Sequence, residues 1–451
     1  MSDLKTIVVF VLAVLVLAGC KGVTTPGERE VRHQIGTVKA AYRPGARRPV
    51  LPDLTTNSPL ADFLTFAMLN QPQIEAAYYD WAASVENVTV ARSLPDPQLT
   101  FQADIENIVS SVMPGFMQSF PGPGKLRAQA KAAAADSRGK YFAFESAVLQ
   151  TAYDVKRGYY QLWFLNEKIR VDGEMLRLLS ELERIARAQN ETGQATLQDV
   201  YRAQIEEDRL TAEIANLEDS RQPLQAQFKA ALGLMRDQSD PPLPGRFETT
   251  TLDLAPEQIL DTAFARNPEL KAMEAEVRRA QASLDLAYKA KVPDFSLGLM
   301  ADVKTSPVLY RPQAAVSLPV WRDKIRAEIA AAQAGKRAAQ ARLNAGQINL
   351  TVDFAEKNFD YREVTRNLDL LRGQLIPKAQ RSLEIARSGY LSGRTDFFNL
   401  IDAERSLLEF RLAEIDARTR RELALSELSL LIAGVPPAGA PLLEQTNRQS
   451  P

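Results

Sequence analysis

Two periodicities take turns along this chain, and the same succession occurs twice. Leu99, Phe101, Ala103 and Ile105 alternate with Gln98, Thr100, Gln102, Asp104 and Glu106. In the second half Phe295, Leu297, Leu299, Ala301 and Val303 alternate with Ser296, Gly298, Met300 and Asp302. A partner to the latter follows, with Ala314, Val316, Leu318 and Val320 alternating with Gln313, Ala315 and Ser317; the first-half partner, Phe116 to Phe120, is less regular. A period of two predicts strands with one apolar and one polar face. Elsewhere the apolar positions keep helical spacing. Val148, Ala152, Val155, Tyr159 and Leu162 are spaced four-three-four-three, and Val364, Leu368, Leu371 and Leu375 follow the same rule, which is coiled-coil spacing.

The helices have legible ends. Ser58-Pro59 reads as an N-cap and first helical residue, opening a short helix to about Asn70 and a longer one from Gln73 to about Ser93. Pro256 and Asn267-Pro268 repeat that helix–break–helix entry. Each hairpin exits through a Ser-x-Pro step, Ser119-Phe120-Pro121 and Ser317-Leu318-Pro319, followed by Lys125-Leu126-Arg127-Ala128 and Lys324-Ile325-Arg326-Ala327. From there the spacing predicts about 65 residues of helix, roughly 100 Å at 1.5 Å per residue. No proline interrupts Lys125 to Gln189, and Pro377 alone interrupts the second copy.

Each long helix ends in a similar stretch, IARAQNETGQATLQDVYRA from Ile185 and IARSGYLSGRTDFFNLIDA from Ile385. Gly193 and Gly393 occupy the left-handed position that closes a helical hairpin tip. Returning helices are predicted from about Thr196 to Gly233 and Thr395 to Gly434. The fold class read here is mainly α with a small β part, internally duplicated. Its halves are residues 58–237 (hairpin about 97–121) and 256–434 (hairpin about 293–321), joined by a linker at 238–255 with Pro241, Pro242 and Pro244, and followed by a tail, 435–451.

The N-terminus sets the compartment. Lys5 precedes an apolar run from Thr6 through Ala18, too short for a permanent span, and residues 1–19 read as a signal peptide. Leu17-Ala18-Gly19-Cys20 resembles the bacterial lipobox, in which the cysteine carries a covalent lipid; Cys20 is the chain's sole cysteine. Lys21 follows, where an aspartate would resemble an inner-membrane retention signal, so an outer-membrane address is favoured. Residues 20–57, with Pro26, Pro44, Pro49 and Pro52, are expected to form an extended, lipid-anchored tether, with His33 a solvated side chain in it.

The strands allow two readings. They are either amphipathic hairpins packed on a soluble core, or membrane-crossing strands whose apolar side meets lipid while Asp104, Glu106 and Asp302 face water. Each has roughly the 9–11 residues that cross a bilayer when tilted. Lipid tolerates no open sheet edge, and four strands are too few to close. The second reading therefore demands oligomerisation, and three chains would supply twelve strands. Trp321, Phe295, Tyr310 and Phe116, near strand ends, then suit interfacial belts.

Composition narrows the rest. With 55 basic and 56 acidic residues no basic field argues for nucleic acid. There is no Gly-rich phosphate loop, no metal-ligand cluster and a single histidine, so no enzyme, cofactor or resident metal is expected beyond the lipid on Cys20. Met113, Met117 and Met300 read as packing, since soft-metal sites need several converging thioethers.

Together these features resemble the TolC-like outer-membrane efflux protein family, in its lipoprotein branch. The two tips, the Asn267-Pro268 entry and the strand exits at Ser119 and Ser317 are the most specific points. The resemblance implies a homotrimer with a β-barrel in outer-membrane lipid and a long α-helical barrel crossing the periplasm. It also implies docking on a periplasmic adaptor (membrane fusion) protein and an inner-membrane pump, of the RND type. Pro121-Gly122-Pro123-Gly124-Lys125-Leu126 is similar to the heavy-metal-efflux branch. In the family, acidic side chains at the positions of Asp402 and Asn399 ring the periplasmic entrance and tip ion pairs hold it shut. Here Asn399 makes that ring less negative, and Asp199, Tyr390 and Arg394 complete the tip with Gly193 and Gly393. Asn399 and Asp402, three apart, share a helix face, and three copies of Asp402 brought together repel one another. The function implied is a passive exit duct for small molecules, drugs or heavy-metal ions. The alternatives are the outer-membrane part of a type I protein secretion system, or a periplasmic coiled-coil scaffold without a channel.

Overall fold

The alternating runs become strands and the four-three runs become helices in a computed structural model, which describes residues 24–43, 47, 49–105, 109–193, 195–249 and 256–432. In chain order these are α1 (Pro26–Tyr42), α2 (Leu60–Asn70), α3 (Pro72–Arg92), β1 (Gln98–Ile105), β2 (Val109–Phe120), α4 (Lys125–Glu191) and α5 (Leu197–Ala231). Then come α6 (Pro256–Arg266), α7 (Pro268–Lys289), β3 (Asp294–Asp302), β4 (Leu309–Ser317), α8 (Arg322–Leu370), a π turn (Leu371–Leu375), α9 (Ile376–Leu391) and α10 (Phe397–Ile432). The described residues form two compact units. Those of Met1–Thr37, Ala77–Phe144 and Glu269–Gly346 make one, and those of Val38–Ala76, Glu145–Pro268 and Gln347–Pro451 the other.

The first unit holds one antiparallel sheet in the order β1-β2-β3-β4. Its register pairs Leu99 with Phe116, Phe116 with Leu299, and Leu299 with Pro312. Because side chains across a pair share a face, the two strand pairs present a single continuous surface rather than two separate hairpins. β4 ends at Ser317, earlier than the alternation to Val320 suggests. Pro319 has no N–H to extend the ladder. A clamp ties the sheet to α4: Asp294 Oδ1 accepts the Gly122 N–H at 2.6 Å and Lys125 Nζ at 2.7 Å. A side chain at Gly122 would lie 2.6 Å from the Pro293 carbonyl oxygen, so only glycine fits. The Pro-Gly-Pro-Gly-Lys stretch is thus the strand-to-helix joint. Further along α4, Trp81 of α3 is fully buried, 5.0 Å from the Tyr141 ring and 5.8 Å from that of Phe144.

The stretch expected as an extended tether contains a helix. Val31, Val38 and Tyr42 of α1 are buried, and with Ile35 they fall at four-three-four spacing, a short apolar stripe set among eight polar or small residues. Glu28 anchors the helix, paired with Arg92 at 2.7 Å and Arg32 at 3.3 Å. Burial opposes its charge, but hydrogen bonds from Arg92, Thr89 and Arg32 prevail and hold the carboxyl below its ordinary range. Cys20, the signal sequence and the tail fall outside the described residues.

In the second unit Phe63 lies 5.7 Å from Tyr159 and 5.6 Å from Phe228. A side chain at Gly158 would stand 2.7 Å from the Phe228 ring, so the interior glycine permits close helix packing and α4 runs straight through it. Asn70 Nδ2 donates to the Leu232 and Gly233 carbonyls and Gln71 Nε2 to those of Ala230 and Ala231, closing the otherwise unpaired end of α5. Ser58 does not cap α2: its hydroxyl accepts the Thr55 N–H, and Glu248 accepts the Leu60 N–H instead. The described part of the linker, 238–249, is irregular but packed, with the Tyr159 and Tyr160 hydroxyls donating to the carbonyls of Arg246 and Glu248, each at 2.8 Å. The second long helix breaks one turn ahead of Pro377. Proline lacks an N–H and crowds the carbonyl four residues back, and the π turn at Leu371–Leu375 absorbs both, the Ile376 N–H reaching the Leu371 carbonyl.

Candidate functional site

Two places on this fold carry chemistry that packing alone does not require. On the sheet, Leu99, Phe101 and Ala103 of β1 share a face with Phe116, Leu297, Leu299, Tyr310, Ala314 and Val316. That apolar face is uncovered: Leu99 is 77 % exposed, Phe101 78 %, Leu297 57 % and Tyr310 58 %. The opposite face carries Thr100, Gln102, Asp104, Ser119, Ser296 and Gln313 together with Met113, Met117 and Met300. Among the described residues no helix is long and apolar enough to cross a membrane. Asp104 is exposed on the polar face. Asp302 is on that face too but only 2 % exposed, its carboxylate taken up by the Ser111 hydroxyl at 3.2 Å, the Lys304 N–H at 3.2 Å and Arg311 at 3.4 Å. Glu106 lies outside the described residues. The expected belt residues divide: Phe295 and Trp321 are at the helix-side end of the strands and Tyr310 at the other, whereas Phe116 sits mid-strand.

The helical tips form the second place. Gly193 and Gly393 take φ of 73° and 69°, with open space where a side chain would be, so backbone conformation alone demands glycine there. Thr196 starts α5 in a capping box with Asp199, whose carboxylate accepts the Thr196 N–H at 3.1 Å. Asp396 accepts the Asn399 N–H at 2.9 Å at the head of α10. The fold brings the two tips together: Leu182, Ala186, Val200, Ala386, Phe397 and Leu400 pack in one cluster. Tyr390 joins it, its ring 5.4 Å from that of Phe397, its hydroxyl buried without a partner. Burial, with the charge of Asp199 adding to it, raises that hydroxyl's pKa. Ion pairs lace one tip to the other, Arg387 to Glu181 at 3.3 Å and Arg405 to Glu206 at 2.8 Å. Asn399 and Asp402 are both exposed, three residues apart on α10, and Arg394 is exposed at the turn.

Sequence reasoning missed Glu404. It is 3 % exposed, with Oε2 lacking a hydrogen-bond partner, and burial pushes its carboxyl up to about 7 against the pull of Arg387. The signal was present: Glu404 stands four after Leu400 and three before Leu407, on the apolar stripe of its helix. Among the described residues no group of three or more His, Cys, Asp or Glu side chains is arranged to hold a metal ion.

The model of the outer membrane efflux protein family matches residues 64–234 and 259–434, more than half of the chain. The chain belongs to this family. Its relatives include the probable outer membrane lipoprotein SilC of Salmonella typhimurium, 24 % identical over 326 residues, covering 69 % of this chain and 68 % of that one. Another is the cobalt-zinc-cadmium resistance protein CzcC of Cupriavidus metallidurans, 26 % identical over 161 residues, a match spanning 35 % of this chain and 38 % of CzcC. Among solved structures, CusC superposes with a TM-score of 0.72 at 15 % identity, over 86 % of this chain and 98 % of that one. VceC of Vibrio cholerae gives 0.71 at 17 % identity, over 83 % and 96 %. At such identities the likeness to CusC and VceC is one of fold.

Proposed function

We propose that this protein is the outer-membrane exit duct of a tripartite efflux system, anchored by a lipid on Cys20 and closed only as a homotrimer. The observation that carries it is the uncovered apolar face of a sheet with two open edges, β1 and β4. Unpaired backbone groups cannot remain in hydrocarbon, and four strands cannot close on themselves. Three copies of the four-stranded sheet close a twelve-stranded barrel. A scaffold without a channel has no use for such a sheet. The second unit offers the matching contact: Ile348, Val352 and Phe359 of α8 form an exposed apolar stripe of the kind a neighbouring copy covers.

The order helix, helix, two strands, long helix, returning helix occurs in both matched segments, which supports duplication, with halves at 58–237 and 256–434. In this reading the tips converge at the periplasmic entrance, and Asn399 and Asp402 line it while Arg394 and Tyr390 set the turn. Asp199 serves there chiefly as a cap. A periplasmic adaptor and an inner-membrane pump of RND type complete the path. Because CzcC is named for cobalt, zinc and cadmium resistance, heavy-metal ions are the favoured cargo.

The test is purification of the lipidated protein in detergent, followed by gel migration with and without heating and by single-channel recording. A heat-labile trimer with discrete conductance is expected, and Asp402→Ala, which removes the repelling carboxylates, should weaken block by divalent cations. A monomer soluble without detergent, silent in bilayers, overturns the proposal.

A further inference from the structure

A basic surface of the first unit lies where the sheet hands over to helices. A groove of about 1320 Å3 is walled by α1, the end of α3, the start of α4, and α7 and α8. Seven arginine and lysine side chains line it against one acidic residue, Asp285, in a chain whose net charge is −1. Three of the seven are neutralised locally: Arg92 by Glu28, Arg138 by Glu30 and Arg278 by Glu274. Asp285 itself accepts a hydrogen bond from Gln281 at 2.8 Å. The side chains of Arg29, Arg127, Lys131 and Lys336 make no ion pair or hydrogen bond among the described residues. They reach the groove from three helices, with Arg127 and Lys131 four apart on one face of α4. Unpaired cations held this close repel one another, and each gains from a shared anion.

The groove's level identifies the anion. Arg127 and Lys131 are two and six residues beyond Lys125, about 3 and 9 Å along the helix, and Lys125 is clamped to the first residue of β3. The groove therefore opens within about 10 Å of the helix-side end of the strands. Thr24, at its rim, is four residues from Cys20, a reach of at most about 14 Å. The intervening Cys20-Lys21-Gly22-Val23 carries no acid to fill the groove itself. We infer that this groove binds the phosphate headgroup of an anionic phospholipid from the leaflet that faces the helices, fixing the height of the duct in the membrane. The inference rests on the reading of the sheet as the membrane-crossing part.

The test is native mass spectrometry of the full-length trimer released from detergent after addition of phosphatidylglycerol or phosphatidylcholine. Phosphatidylglycerol adducts are expected to dominate, and to fade at high salt. Each juxtamembrane basic residue contributes roughly fivefold in affinity for an anionic surface, so Arg127→Gln with Lys131→Gln should lower phosphatidylglycerol retention by roughly 25-fold and leave phosphatidylcholine unchanged. The charge-keeping pair Arg127→Lys and Lys131→Arg should retain it. Stripping of the adduct by inorganic phosphate would assign the site to free phosphate and overturn the lipid reading. Equal retention of the two lipids by the unaltered trimer would overturn it as well, whether or not the double variant assembles, and is the result to expect if a second copy covers the groove. Bilayer conductance of the same preparation separates the failures. A conducting trimer with no lipid preference sinks this inference alone; a protein that neither trimerises nor conducts sinks the duct.

Discussion

At the scale of single residues, Glu404 is a buried carboxylate with an oxygen that no partner satisfies. Its carboxyl lines a cavity of about 340 Å3 between helices, beside the Arg405–Glu206 and Lys168–Glu213 ion pairs and the buried Asp172, whose oxygens also lack partners. The folded pKa of Glu404 is about 7 against an ordinary 4.5. The folded protein thus binds the extra proton more tightly than the unfolded chain, and stability from this group is full below pH 4.5 and is lost as pH rises through 7. Glu404→Gln, which mimics the protonated state, should raise the thermal midpoint of the tip at pH 8, by an equivalent of roughly 1–3 kcal/mol. It should also flatten the melting curve's dependence on pH between 4.5 and 7. A variant that melts below the parent at pH 8 would show instead that the carboxylate's charge is used. Glycine speaks with the same local logic: Gly193 and Gly393 were readable because the need is in their own backbone, while the need for Gly158 arises from Phe228 on another helix.

At the scale of elements, the sheet turns a pattern into a direction. Leu297, mid-strand on the apolar face, and Gln313, on the polar one, lie on neighbouring strands. Leu297→Arg should cost roughly 2–4 kcal/mol and abolish the heat-labile trimer. Gln313→Arg should assemble normally and change only conductance and ion preference. If both variants assemble equally well, the apolar face does not meet lipid. The helices teach the complementary lesson. Their run from Lys125 was legible because no proline or cap interrupts it, but the break at Leu371–Leu375 was not, since a proline disturbs the carbonyls upstream of it rather than its own position. Likewise α1 was hidden by its polar composition and the prolines around it, although its four apolar side chains keep helical spacing and three of them are buried.

On the scale of the whole molecule, the apolar surfaces that the described residues of a single copy leave exposed include the sheet face and the α8 stripe. The first calls for lipid and the second for protein. Val352→Asp together with Phe359→Asp should therefore dissociate the trimer into species that remain helical by circular dichroism, read by size-exclusion chromatography in detergent with light scattering. A persisting trimer would move the contact elsewhere.

What the sequence determined by itself is whatever rests on local backbone geometry and on one-dimensional period: strands, long helices, glycine tips, and the succession repeated in each half. Tertiary structure alone decided which of those periods meet. It joined two hairpins into one sheet with a continuous apolar face, pressed the two tips into one cluster laced by Arg387–Glu181 and Arg405–Glu206, and buried Glu404 where its helix stripe offered a carboxylate to an apolar seam. The reason is physical. Period and capping are properties of neighbours in the chain, whereas burial, ion pairing across elements and shifted protonation depend on groups some two hundred residues apart that only folding brings within a few ångström.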